Sequence, residues 1–173
     1  MKLLFTLSAA LLFLTSCSAK IDDYAQNTPE FALFDYFDGQ VTAWGMVQDY
    51  SGKQTRRFSV NIDGTVEGNQ LTLDETFFFD DGEEQKRIWK IQRNADGTYE
   101  GTAGDVVGNA VGRSVGNAFH WVYQLEVVVD DTTYVLTMDD WLYRHDEKHL
   151  FNRTSMKKFG VEVGEVTLFF TKS

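Results

Sequence analysis

Leu71-Thr72-Leu73-Asp74-Glu75-Thr76-Phe77-Phe78-Phe79 runs into Asp80-Asp81-Gly82, and Glu83-Glu84-Gln85-Lys86-Arg87-Ile88-Trp89-Lys90-Ile91-Gln92-Arg93 follows. Two extended segments thus flank a three-residue loop that ends in glycine. Such a loop suits a type I turn closed by a G1 bulge, which demands a left-handed residue at its last position. That loop pairs Phe79 with Glu83. Counting back along the ladder sets Leu73 against Trp89 and Leu71 against Ile91, so apolar side chains meet on one face. The same register sets Glu75 opposite Arg87 on that apolar face. Desolvating either ion alone costs several kcal/mol, so the two are expected to pair.

Working outward, the same grammar recurs. Arg56 to Asp63 alternates Phe58, Val60 and Ile62 with polar residues, a period of two. Ala118 to Val129 alternates Phe119, Trp121, Tyr123, Leu125 and Val127. A two-residue turn at Asp130-Asp131 returns it through Thr132 to Tyr143, which places Asp140 opposite Trp121 and Met138 opposite Tyr123. Val41 to Gln48, Thr98 to Ala103, Leu150 to Phe159 and Val161 to Phe170 read as further strands. The fold class is all-β. About nine strands (8–10 allowing for boundaries) in sequential hairpins predict a single antiparallel up-and-down β-barrel, because closure removes sheet edges. Glu30 to Phe37 reads equally as a short helix or a lead-in strand. The glycine-rich run Gly101 to Gly116 reads as a flexible loop or lid over one barrel end.

Ahead of the barrel, Lys2 and the apolar run Leu3 to Leu14 are too short for a mature membrane span and read as a signal segment. Leu14-Thr15-Ser16-Cys17 resembles the lipobox of bacterial lipoproteins. That resemblance implies cleavage before Cys17 and acylation of Cys17, the single cysteine. Two acyl signals suffice for stable anchoring. The expected organisation is a signal peptide over 1–16, an acylated Cys17 and polar tether over 17–29, and the barrel over 30–173. Ser18, rather than Asp, after the cysteine implies an outer-membrane lipoprotein facing the periplasm. The chain carries 26 acidic against 16 basic residues, a net charge of −10. That excess repels nucleic acid and anionic headgroups, so membrane attachment rests on the acyl chains.

Ala43-Trp44-Gly45, Leu73-Asp74-Glu75, Asp81-Gly82, Arg87-Ile88-Trp89, Gly101-Thr102-Ala103 with Asp105-Val106, Gly116-Asn117-Ala118, Asp139-Asp140-Trp141, Lys158-Phe159-Gly160 and Val163-Gly164-Glu165 are motifs the chain shares with a known family. The chain resembles the domain-of-unknown-function family 3833, small proteobacterial lipoproteins. The resemblance implies a lipocalin-like barrel and brings no activity, cofactor or catalytic residue. Through neighbouring genes for cyclopropane-fatty-acid-synthase-like enzymes, it also points toward membrane lipid chemistry.

The candidate ligand-binding residues are Glu75, Arg87, Trp89, Trp121, Tyr123, Asp140 and Trp44. Aromatics around a few polar groups are how a mostly apolar cavity holds a lipid. Arg87, balanced by Glu75, is expected to meet the polar end of a fatty acid or modified lipid. Each of these residues also has a plain structural reading, as a core aromatic or a register-fixing charge. Gly112-Arg113-Ser114-Val115-Gly116 matches a nucleophile-elbow pattern but lacks its strand–turn–helix setting. His120, His145 and His149 read as scattered surface histidines. No catalytic set, metal site or cofactor is expected. The alternative is an envelope interaction protein whose barrel is filled by its own side chains.

Overall fold

In a computed structural model that describes residues 18–129 and 131–173, ten antiparallel strands close into one barrel. They are β1 (Gly39–Asp49), β2 (Gln54–Glu67), β3 (Gln70–Phe79), β4 (Glu84–Arg93), β5 (Thr98–Thr102), β6 (Val106–Val115), β7 (Ala118–Val129), β8 (Thr132–Arg144), β9 (His149–Lys158) and β10 (Val161–Lys172). Each strand pairs with its neighbours in sequence, and β1 closes on β10 from Val41↔Lys172 to Asp49↔Gly164. Cys17 and Asp130 lie outside the described residues.

The expected hairpins form in the expected registers. In β3–β4, Leu71 faces Ile91, Leu73 faces Trp89 and Glu75 faces Arg87. Gly82 supplies the left-handed residue at φ 89°, and the Phe79 N–H donates to the Glu83 carbonyl at 2.9 Å. In β7–β8, Trp121 faces Asp140 and Tyr123 faces Met138.

The tenth strand comes from the glycine-rich run, which corrects the lid reading. Residues 98–102 and 106–115 are consecutive strands of the wall. A Cβ on Gly112 would lie 2.4 Å from the Trp121 Cβ, and one on Gly101 would lie 2.9 Å from the Trp121 ring. These two glycines are recesses that let large indoles lie flat inside the barrel.

One end is plugged. Leu33–Phe37 form a short helix, α1, whose Leu33, Phe34, Tyr36 and Phe37 are all buried. Phe37 meets Phe170 edge-on at 5.9 Å, Phe34 packs on Tyr99 at 5.9 Å, and Phe31 meets Phe119 at 6.3 Å. Tyr36 donates its hydroxyl to the Lys148 carbonyl at 2.9 Å. The plug comes so close to β2 that a Cβ on Gly64 would sit 1.6 Å from the Phe37 carbonyl oxygen.

The segment read as a tether is strapped to the barrel. A 3-10 turn, Ile21–Tyr24, lies against β6 and β7. Asp22 accepts from Arg113 at 2.7 Å, and Tyr24 packs on Trp141 and Tyr143 at 5.7 and 5.5 Å. The Phe31 N–H donates to the Gly116 carbonyl at 2.7 Å. The opposite end, at the β3–β4, β5–β6 and β7–β8 turns, has no such plug among the described residues.

Candidate functional site

The inward positions of a barrel strand are every second residue, so each hairpin sends an alternating set into the lumen. Those sets do not fill it: they enclose a cavity of about 840 Å³. Toward the plug its wall is aliphatic and aromatic, with Ile62, Leu73, Ile91, Phe119 and Phe170. At mid-height comes a polar belt in an aromatic setting. Glu75, Arg87, Trp89, Trp121, Tyr123 and Asp140, six of the candidates named from the sequence, all line this one space.

Trp89 and Trp121 lie 4.7 Å apart at 33°, and Tyr123 closes the group at 5.4 and 5.5 Å. Asp140 is held from four sides. Trp121 Nε1 donates to it at 2.7 Å, Thr154 Oγ1 at 2.9 Å and Tyr123 at 3.4 Å, and Asn152 Nδ2 completes the set. Burial pushes the Asp140 carboxyl above its ordinary range, and these donors pull it partly back. Burial also drives the Tyr123 phenol well up, aided by Asp140.

Arg87 and Glu75 face one another in register, but the ion pair forms elsewhere. Arg87 forks onto Asp105: Nε lies 3.1 and 3.0 Å from the two oxygens, and Nη2 lies 2.6 Å from Oδ2. The guanidinium also lies over the Phe77 ring at 5.2 Å. Burial works against its charge, but Glu75 and Asp105 outweigh that and raise its pKa. Asp105 sits on the turn between β5 and β6. Nothing in the sequence places it beside Arg87 until that turn is known to be a tight strand connection.

Glu75 takes no hydrogen bond and no ion pair among the described residues. Its carboxyl faces the cavity, enclosed by the barrel wall yet not packed. Burial lifts its pKa from the ordinary carboxyl value to about 7; Arg87 opposes the rise, and Asp105, Asp140 and Asp74 add to it.

Trp44 is the exception among the candidates. It points outward and is 52% exposed, in a cross-strand row with Phe169 and Phe151. Its neighbours Ala43 and Gly45 hold the inward positions, because the Phe58 ring fills the space there; a Cβ on Gly45 would lie 2.5 Å from it. Two polar residues missed from the sequence are Asn152 and Thr154. Their signal was present as polar residues at inward parity between Leu150 and Met156.

The remaining motifs lie elsewhere. Ser114 of the elbow-like pattern is on β6 and donates to the Phe31 carbonyl, part of the strap. His120 lies outside the barrel, 2.8 Å from Asp139 and stacked on Trp141 at 4.0 Å. His149 pairs with Asp146 at 2.8 Å, while His145 turns to Phe151.

The family profile described as "Protein of unknown function (DUF3833)" matches residues 11–172. The chain belongs to this family. Against the curated proteins the chain finds no match. The DUF3833 match spans the strap, the plug and all ten strands, so the cavity and its polar belt fall within the family's own unit.

Proposed function

We propose that this DUF3833 barrel binds or carries a hydrophobic molecule at the bacterial envelope. The cavity carries the reading. About 840 Å³ falls in the usual range for small-molecule sites, roughly 300–1,000 Å³, and such sites combine apolar walls with a few convergent polar groups. A barrel filled by its own side chains, the scaffold alternative, needs no such space. The plug leaves the turn end as the way in. The role assigned is binding rather than catalysis, with a fatty acid or modified lipid as the leading class of cargo.

Acylation of Cys17 would anchor the protein to the periplasmic face of the outer membrane. The Leu14–Cys17 motif supports this assignment, and the acidic surface leaves the acyl chains as the anchor. Globomycin inhibition in the native host tests it: a slower-migrating, uncleaved precursor is expected, and unchanged processing would refute it.

Native mass spectrometry tests the binding. Every strand of the closed ladder lies within 18–173, so a chain begun at Ser18 carries the whole site. Purified gently from the periplasm, it should carry an adduct that organic solvent strips off and that identifies as a lipid. Bare protein that also refuses added long-chain amphiphiles would overturn the carrier reading.

A further inference from the structure

Five acidic residues and two arginines line the cavity. Both arginines are already engaged. Arg56, at the mouth, bonds Asp81 at 2.8 Å and also Glu83, and Arg87 is forked onto Asp105. A ligand carboxylate or phosphate entering here would find no free guanidinium and would have to displace a protein carboxylate to obtain one. Its own charge would also add to an acidic surplus in a low-dielectric space.

The acids differ in what they lack. Asp140 has its acceptor sites filled by four protein donors. Glu75 has none among the described residues, although an ionised carboxylate offers roughly four acceptor sites. A carboxylate that opens into a mostly apolar cavity without protein donors depends on what enters that cavity, and a partner carrying N–H groups and positive charge would satisfy it. The surroundings favour the same partner. Trp89 shares the inward face with Glu75 one ladder step along, and Tyr123 packs against Trp89 at 5.4 Å. Aromatic faces attract a desolvated cation through their quadrupole.

We propose that the cavity takes an apolar molecule with a cationic nitrogen at one end, and that the Glu75 carboxylate is its counter-ion. This rests on the binding reading above and departs from the fatty-acid expectation at the polar end. The apolar part would extend along the aliphatic wall toward α1. The charged groups facing Glu75 set its response to pH. Arg87 on β4 favours its ionised form, while Asp105 on the β5–β6 turn, Asp140 on β8 and Asp74 on its own strand oppose it. With its pKa lifted to about 7, Glu75 ionises within the neutral range, so a cationic ligand should bind more tightly as pH rises through that range. A carboxylate ligand should respond with the opposite sign.

Three twelve-carbon probes with one tail and different heads separate the cases: dodecylammonium, dodecanol and dodecanoate. Each is titrated below its micellar concentration into the chain begun at Ser18, and occupancy is read from the fluorescence of the cavity tryptophans and from calorimetry. Near neutral pH, dodecylammonium should bind about tenfold or more tighter than the other two, as an unscreened ion pair would give. That preference should weaken by up to about tenfold per pH unit on acidification below about 7. It should be lost in Glu75→Gln, which keeps the shape and removes the charge, while dodecanol binding persists. If dodecanol or dodecanoate binds as tightly as the amine, or Glu75→Gln leaves the preference intact, the counter-ion role is wrong and the apolar cavity still stands. If no probe enters, the binding reading fails as well.

Discussion

Asp140 and Glu75 are two acids at inward positions of one lumen, and they are held in opposite ways. Asp140 is packed at the centre of a donor cluster from β7, β8 and β9. Glu75 faces open space beside an arginine that is bonded to a third acid. A carboxyl with every acceptor satisfied is part of the wall. One left without protein donors, in a cavity, is the counter-ion position proposed above. The two sides of the barrel therefore divide the work, with β7–β9 setting the shape and β3–β4 presenting the unsatisfied charge.

The largest effect should come from breaking the satisfied side. Asp140→Ala leaves the Trp121 donor unpaired, at roughly 1–3 kcal/mol for a buried group, and takes a bond from Asn152 and from Thr154, which keep the Trp141 carbonyl and Asn152 Oδ1 as their remaining acceptors. A loss of about 3 kcal/mol is expected in urea unfolding at neutral pH. A cost no greater than that of Glu75→Ala would erase the contrast.

Glu75→Gln should act in the other direction. The unfolded carboxyl titrates near its ordinary value and the folded one at about 7, so between those values the folded state holds the extra proton. Stability then falls as pH rises through this window and levels off above it. The wild type should be more stable near pH 5 than near pH 8 by about 2–3 kcal/mol, because each tenfold difference in proton affinity between the folded and unfolded chain is worth about 1.4 kcal/mol. Glu75→Gln should remove that contribution and be the more stable protein near pH 8. Denaturant midpoints across pH check both, and an unchanged slope in the variant would refute the assignment.

Gly112→Ala sharpens the comparison from the wall side. Its methyl group would meet the Trp121 Cβ and the His120 carbonyl, so overpacking should cost about 1–3 kcal/mol and disturb the Trp121 bond to Asp140. Near-ultraviolet circular dichroism of the tryptophans reads the disturbance. The smallest effect belongs to Trp44→Ser on the outer wall, within about 0.5 kcal/mol and with no change in probe binding. A loss of binding there would place the site somewhere other than the lumen.

The sequence discloses the barrel and most of this site wherever side chains announce a period of two. The β3–β4 and β7–β8 registers follow from turn chemistry and apolar matching, and they bring six candidate residues into one space. Strand β6 is hidden because its inward residues include Ala110 and Gly112, which carry almost no signal and exist to make room for Trp121. Trp44 misleads for the complementary reason: the small residues beside it are the ones that face inward. The plug, α1, is five residues long, too short for helical periodicity to separate from a strand. The partner of Arg87 is illegible because a charge's partner depends on where a turn brings the chain, and Asp105 lies on the turn between two strands, one of which the glycines conceal.

The pairing of β1 with β10 has a consequence in time. These strands begin at Gly39 and Val161 and are the first and last of the barrel, so the seam joins residues more than a hundred positions apart. Contacts of such long range are slow to form, because the chain must be confined before they stabilise it. The seam cannot close until β10 is available, so until then the lumen remains an open sheet with an apolar face. Collapse of the fold on deletion of β10 follows from that one seam. A molecule already resting on the open sheet as it curls could be enclosed without ever passing the mouth.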